Sequence, residues 1–316
     1  MKTKNTHVLK ATRWMQWSIL IALLCAPLQA WTNEPWVAVL YPETGEPYRT
    51  VFEQVAQGVE SRVAMRRYAL RATTDVAELQ QALDVGKPVA IIALGQRGMK
   101  TARALSMRVP KIVGAVLAPP GEVADGMSGI SLTPDPELLF ARLHGLVPRI
   151  RRVVVVYSES QNGWLIALAK AAAVTHGLEL VARRADDLPA AAQAYRELLG
   201  SNRDDQTAVW LPMDTLALDE VTLVPMILER AWNGRMVIFS SSLVHVSKGA
   251  LFALYPDNQK MGRHLADMAL KSTNSTTAVF LPLRDTRFAI NVRSASHLGI
   301  EVDPMKLGVD LVFPAR

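Results

Sequence analysis

A single cysteine, Cys25, stands in the 316 residues. That excludes a disulfide framework, a cysteine-ligated iron–sulfur cluster and any Cys-rich zinc site. Charge of either sign is in small excess only, with Lys+Arg 35 against Asp+Glu 29. Charged residues make up 20% of the chain and hydrophobic residues 50%. A disordered or low-complexity chain is excluded by that balance, because such chains lack the apolar area that offsets ordering entropy. Long hydrophobic runs are scarce as well. The longest, residues 15–26, holds Gln16 and Ser18 and falls short of the roughly 20 residues a membrane-spanning helix needs.

That short run nevertheless has a reading. Lys2, Lys4, Lys10 and Arg13 precede or enter it, residues 1–30 hold no acidic residue, and Leu28-Gln29-Ala30 ends on a small side chain. This is the pattern of an export signal cleaved near Ala30. Removing those four basic residues takes the formal charge from +6 to +2, so a nucleic-acid partner is not expected. Cys25 would leave with the signal, and Leu24 before it argues against lipidation. A cysteine-free exported chain suits a bacterial periplasm.

From Trp36 onward short β-branched runs alternate with helical spacing. Strands are predicted at 37–41, 68–72, 89–94, 112–117, 153–157, 178–183, 208–211 and 236–240. Helical spacing of three and four runs through Val51, Val55, Val59 and Val63, and through Val221, Val224, Ile227, Leu228 and Ala231. Near-continuous apolar strands such as VVVVY (153–157) and VAIIALG (89–95) require burial on both faces, as in a parallel sheet covered by helices. The class is α/β. A closed eight-stranded barrel and two doubly wound, Rossmann-like lobes both accommodate the pattern. Residues 118–136, with three glycines and four prolines, interrupt the alternation near the middle. Strand-like material also recurs after residue 249. Both features favour two lobes joined by several crossings.

Several apparent motifs fail on spacing. In GQRGMKT (95–101) the lysine does not follow the second glycine, so a phosphate cradle would be out of register. GMSG (126–129) is one residue short of a nucleophile elbow. His144, His176, His245, His264 and His297 lack zinc-helix spacing and read as surface or helix-end histidines. No metal or cofactor motif is found. A hydrolase on this scaffold would need a nucleophile–base pair, and no strand-end serine stands beside a histidine in sequence, although such pairs are spatial.

Ligands of open α/β sheets bind beyond the carboxyl ends of the strands. Those positions here hold Tyr41, Gln96 and Arg97 in the first half, then Ser160, Asn162, Asp214 and Ser241 in the second. Asp214 could receive an ammonium group and Arg97 a carboxylate, which together suggest an amino-acid-like zwitterion. Tyr41 or Trp164 could supply an apolar wall. For any single Ser or Asn among them, capping of the following helix is the simpler account.

Residues 129–303 carry a resemblance. The passages GISLTPDPELLFARLHGLVPRIRRVVVVYSESQN (129–162), LPMDTL (211–216), KGALFALYPDNQKMG (248–262) and FAINVRSASHLGIEVD (288–303) resemble ABC-transporter substrate-binding proteins of the type I periplasmic-binding-protein fold. The resembling branch contains tryptophan and tyrosine binders. The turns after the first and third strands, YPETGEP and GQRGMK, depart from that family's pattern. The resemblance implies lobe one at 36–120 plus 245–275 and lobe two at 121–244 plus 276–316. It further implies a hinge that closes on a small ligand, no catalytic residues, a monomer, and an ABC permease as membrane partner. A sensory or accessory binding protein serving a membrane kinase or receptor is the alternative use of the same fold.

Overall fold

Residues 34–123, 126–201, 205–272 and 278–314 are described by the structure, a computed structural model. The expected signal segment and Cys25 lie outside them. Among the described residues no helix is long and apolar enough to cross a membrane.

The first sheet begins with β1 (Trp36–Pro42), β2 (Ala64–Leu70), β3 (Ala90–Leu94), β4 (Lys111–Val116) and β5 (Ser128–Pro134). It is completed from far along the chain by β11 (Phe280–Leu283), giving the order β11-β5-β4-β3-β1-β2 with every pairing parallel. The second sheet holds β6 (Arg152–Tyr157), β7 (Glu179–Arg184), β8 (Thr207–Leu211), β9 (Val237–Ser240) and β10 (Phe252–Pro256). To these are added β12 (Thr286–Asn291) and β13 (Leu311–Phe313), in the order β13-β12-β10-β9-β8-β6-β7. Only the β10–β12 pairing is antiparallel among the described strands. Two doubly wound sheets, not a barrel, are what the parallel runs form.

Helices cover both sheets. In the first lobe α1 (Tyr48–Glu60), α2 (Val76–Gly86), α3 (Gly95–Ala104) and the short α4 (Pro120–Val123) follow successive strands. The second lobe has α5 (Pro136–Leu146), α6 (Glu159–Thr175), α7 (Leu188–Ser201), α8 (Leu223–Asn233) and α9 (Leu243–Lys248). Then α10 (Asn258–Ser272) returns to the first sheet, and α11 (Val292–His297) follows β12. The return is fixed by two glycines. A Cβ on Gly58 would stand 2.2 Å from the Gln259 carbonyl oxygen, and one on Gly262 would stand 2.1 Å from that of Val55. Only bare backbones let α1 and α10 approach so closely.

Each lobe has its own core. Strands β1, β3 and β4 present Val37, Val39, Ile92, Leu94 and Ile112 to α1 and α10, all essentially inaccessible. In the second lobe Trp210, Phe239, Phe252 and Phe288 sit on successive strands and stack or meet edge to face at 5.3–6.5 Å between centroids. Phe140 closes the group from α5, 5.9 Å from Trp210. Such offset and T-shaped pairs add to area burial.

The expected lobe boundaries need correction. Residues 128–134 and 280–283 pair within the first sheet, not the second, and residues 252–256 belong to the second, not the first. The stretch 118–136 is no mere interruption: it contains β5. Its Gly, Ser, Thr and Pro content hides a strand that is buried because β4 and β11 flank it. Likewise β2 starts four residues before the expected 68–72, and α1 stops at Glu60 rather than continuing through Val63. As an edge strand, β2 keeps Arg66 and Arg67 exposed and so lacks the apolar run of a central strand.

Among the described residues the chain passes between the sheets three times, at Asp135, at Asp257 and through Arg284-Asp285. Each crossing carries an aspartate. Asp135 caps α5 through the Glu137 amide (3.0 Å) and pairs with Arg284. Asp257 accepts from the Lys260 amide (3.0 Å) and faces Arg287 (3.5 Å). Asp285 meets His264 Nδ1 at 3.0 Å. Backbone bonds from Asp135 N to Leu283 O and from Asp257 N to Asp285 O, both 2.9 Å, tie the strands of the crossing together.

Candidate ligand-binding cleft

In each sheet the strand order reverses beside the first strand, between β1 and β3 in one lobe and between β6 and β8 in the other. Those switch points are where open α/β sheets place ligands. A cleft of about 470 Å³ is lined from both lobes; it takes in the β6/β8 switch point of the second sheet and, in the first, the segments after β3 and β4 rather than the end of β1. The first lobe contributes Gln96, the Leu117-Ala118-Pro119 segment, Glu122 and Thr133. The second contributes Gln161, Asn162, residues 212–215, Leu218, Glu220, Ser242 and His245.

Asp214 organises the second-lobe wall. It follows β8 and is 4% exposed. Its Oδ1 accepts from the Leu216 and Ala217 amides at 3.0 and 2.9 Å, and its Oδ2 from the Ser158 amide at 2.7 Å. The Ser158 hydroxyl lies 2.9 Å from both oxygens, and Asn162 Nδ2 donates to Oδ2 at 2.9 Å and to the Met213 carbonyl at 3.0 Å. The carboxylate thus joins the loop after β8 to the loop after β6. Gln161 adds a second tie, accepting from the Thr215 amide at 2.9 Å and donating to its hydroxyl at 2.8 Å.

The opposite end of this wall contains an arrangement that adjacency in sequence did not reveal. Buried His245 places Nδ1 2.6 Å from Ser240 Oγ and Nε2 2.7 Å from Glu220 Oε1. Lys248 binds the other Glu220 oxygen at 2.6 Å. Burial pushes the His245 imidazole below its ordinary pKa, outweighing the raising effect of Glu220. Burial opposes ionisation of Glu220 too, but Lys248 and His245 outweigh it and hold the carboxyl below its usual range. A neutral imidazole then donates from Nε2 to Glu220 and accepts the Ser240 proton at Nδ1.

Serine, histidine and glutamate in that order are the parts of a nucleophilic triad. Here the serine is inaccessible. Ser240 is 0% exposed, accepts from the Ser242 amide (2.9 Å) and lies 3.1 Å from the Leu211 carbonyl oxygen. A substrate carbonyl has no approach to that oxygen. His245 is therefore not the surface or helix-end residue expected from sequence but a wall of the cleft, fixed from beneath by Ser240.

Of the expected site residues, Gln96, Asn162 and Asp214 meet in this cleft. Tyr41 instead lines a separate cavity of about 340 Å³ with Phe52, Arg49 and Arg71, sharing no lining residue with the cleft. Arg97 and Ser160 are exposed and outside the lining, because each lies within the first turn of a helix that rotates it away. Ser241 is 1% exposed, and its Oγ accepts from Trp210 Nε1 at 3.1 Å, so it serves the core. Its neighbour Ser242 faces the cleft. Trp164 is half-buried and packs its ring 6.3 Å from Phe280 of β11. Thr133, Glu122, Glu220 and His245 were not foreseen. Among the described residues no group of three or more His, Cys, Asp or Glu is placed to hold a metal ion.

Residues 109–307 match the model of the family described as ABC transporter substrate binding protein. The chain belongs to that family. No curated protein matches the sequence. Solved structures share the fold. A ligand-free, open substrate binding protein with adhesive properties from Clostridium difficile has a TM-score of 0.62 at 17% identity, over 88% of this chain and 99% of that one. An ABC domain in complex with L-Trp from Streptococcus pneumonia has a TM-score of 0.53 at 17% identity, over 88% and 100%. A conserved domain protein from Vibrio cholerae has 0.53 at 18% identity, over 89% and 100%. The family member described here carries the two-lobed architecture of these neighbours.

Proposed function

We propose that this protein is exported to the periplasm, captures a small solute between its lobes, and presents it to an ABC permease in the inner membrane. One observation carries the reading: a cleft of about 470 Å³, lined from both lobes by segments at the carboxyl ends of their strands and including the switch point of the second sheet. That volume lies in the range of small-molecule sites. The three crossings would act as the hinge, with closure driven by the solute's greater affinity for the closed form. Ser240, His245 and Glu220 shape the wall, and no catalytic role is assigned to them. The N-terminal segment supports export, and its cleavage near Ala30 is checked by N-terminal sequencing of protein recovered from the periplasm.

A thermal-shift panel of amino acids, amines, carboxylates, sugars and nucleosides tests capture. A bound solute at 100 times its Kd stabilises by about 2.7 kcal/mol, a readily measured shift. Silence across the whole panel contradicts the reading.

A further inference from the structure

Resting on that reading of the cleft, we infer that its solute is a cation without a free carboxylate: an amine or guanidine on a largely apolar body. Two independent observations lead there. The first is the ionisable lining. Glu122, Asp214 and Glu220 face the cleft, and among the described residues no lysine or arginine does. Lys248 is turned away onto Glu220, binding its carbonyl at 2.9 Å and its Oε2 at 2.6 Å. His245 adds no positive charge near neutral pH, since burial depresses its pKa. Arg49, Arg67 and Arg71, beside the neighbouring cavity, are each paired with a glutamate: Glu46, Glu60 and Glu43.

The second observation concerns backbone donors. Strand-end amides and helix N-termini could hold a carboxylate without any cationic side chain. On the second-lobe wall the protein has already occupied several of them. Asp214 takes the amides of Ser158, Leu216 and Ala217, and Asp186 takes that of Glu159 at 3.0 Å. Gln161 takes the Thr215 amide and Ser240 Oγ takes that of Ser242. A ligand carboxylate would meet a lining that holds acids and no lysine or arginine, whereas an ammonium group meets the exposed Glu122 carboxylate, with Asp214 and Glu220, both already bonded within the protein, acting only at longer range. The body of the ligand would rest on Leu117, Ala118, Pro119, Pro212, Met213 and Leu218. The amino-acid-like zwitterion suggested by Arg97 and Asp214 loses both anchors: one lies outside the lining and the other is saturated by internal donors.

Matched pairs that differ only by the carboxylate provide the test. Agmatine is compared with arginine, cadaverine with lysine, tyramine with tyrosine and isoamylamine with leucine, by thermal shift and then calorimetric titration of the purified protein at pH 7.5. The expected result is that at least one amine binds and its amino acid binds at least about tenfold more weakly, the cost of bringing like charges together. Glu122→Gln, on an exposed side chain, should weaken that amine by about tenfold while leaving the unliganded melting temperature unchanged. Glu220→Gln should weaken it in the same direction. Amino acids binding as tightly as their amines would overturn the inference and leave the capture reading intact. So would hits confined to sugars, nucleosides or carboxylates. Silence of every compound class would overturn both together.

Discussion

Replacing Asp214 by alanine should be among the most damaging single changes in the second lobe, and the reason is structural. The carboxylate gathers five donor groups from two loops, and three of its backbone or amide donors, Ser158 N, Asn162 Nδ2 and Ala217 N, belong to buried residues. Leu216 is 38% exposed, so its amide can turn to water. A stranded buried donor costs about 1–3 kcal/mol. The space left by a carboxylate admits a water molecule, so the lower half of that range applies, and the three together cost about 3–6 kcal/mol. At this size about 2 °C of melting temperature is lost per kcal/mol, a fall of about 6–12 °C. Asp214→Asn keeps the shape but turns one acceptor into a donor facing donors, at a cost of about 2–4 kcal/mol. Urea unfolding followed by tryptophan fluorescence reads both, with fully buried Trp210 as reporter. If either variant lost less than about 1 kcal/mol while ligand binding vanished, Asp214 would be a direct ligand group and the reasoning would fail.

Three further outcomes follow from the same structure. Gly262→Ala should destabilise by about 1–3 kcal/mol, since its Cβ would enter the Val55 carbonyl where α1 and α10 touch; unchanged urea midpoints would show that the helices separate freely. Tyr195→Phe should be neutral or stabilising by up to about 1 kcal/mol, because the buried hydroxyl has no hydrogen-bond partner among the described residues; a large loss would reveal one. The two histidines should give opposite pH dependence. The hydrogen bond to Asp285 raises His264, so its contribution is full below about pH 6.5 and lost as pH rises through the higher folded value. Burial lowers His245, so stability is lost as pH falls below about 6.5 through its lower folded value. His264→Gln should therefore steepen acid destabilisation between pH 7 and 5, measured by melting temperature; an unchanged slope would exclude the His264–Asp285 link.

The central strands were legible because burial on both faces leaves an unambiguous apolar run, as in VVVVY of β6 and AIIAL of β3. Strands whose environment comes from elsewhere were not. The residues of β5, SGISLTP, carry little strand signal, and its partner β11 lies about 150 residues away in sequence, where the Val279 amide donates to Ser128 Oγ. The exchange of β5, β10 and β11 between the expected lobes has the same origin. For the cleft, position after a strand was enough to find Gln96, Asn162 and Asp214. It could not decide between neighbours, because one residue of rotation in a first helical turn or a tight turn sends Ser160 and Arg97 outward and Ser241 into the core. His245 escaped notice because Glu220 stands 25 residues before it. Its other partner, Ser240, ends β9 and reaches the imidazole only once α9 folds back.

The central claim, solute capture between the lobes, is tested most directly by filling the cleft. Leu117 lines it and is 47% exposed, so Leu117→Trp introduces a ring beside the ligand volume without entering the core. Calorimetric titration of the wild type and this variant, with the solute that most stabilises the wild type, gives the answer. The account predicts binding to the wild type and its loss in a variant that still unfolds cooperatively. Equal affinity in the two proteins would contradict it.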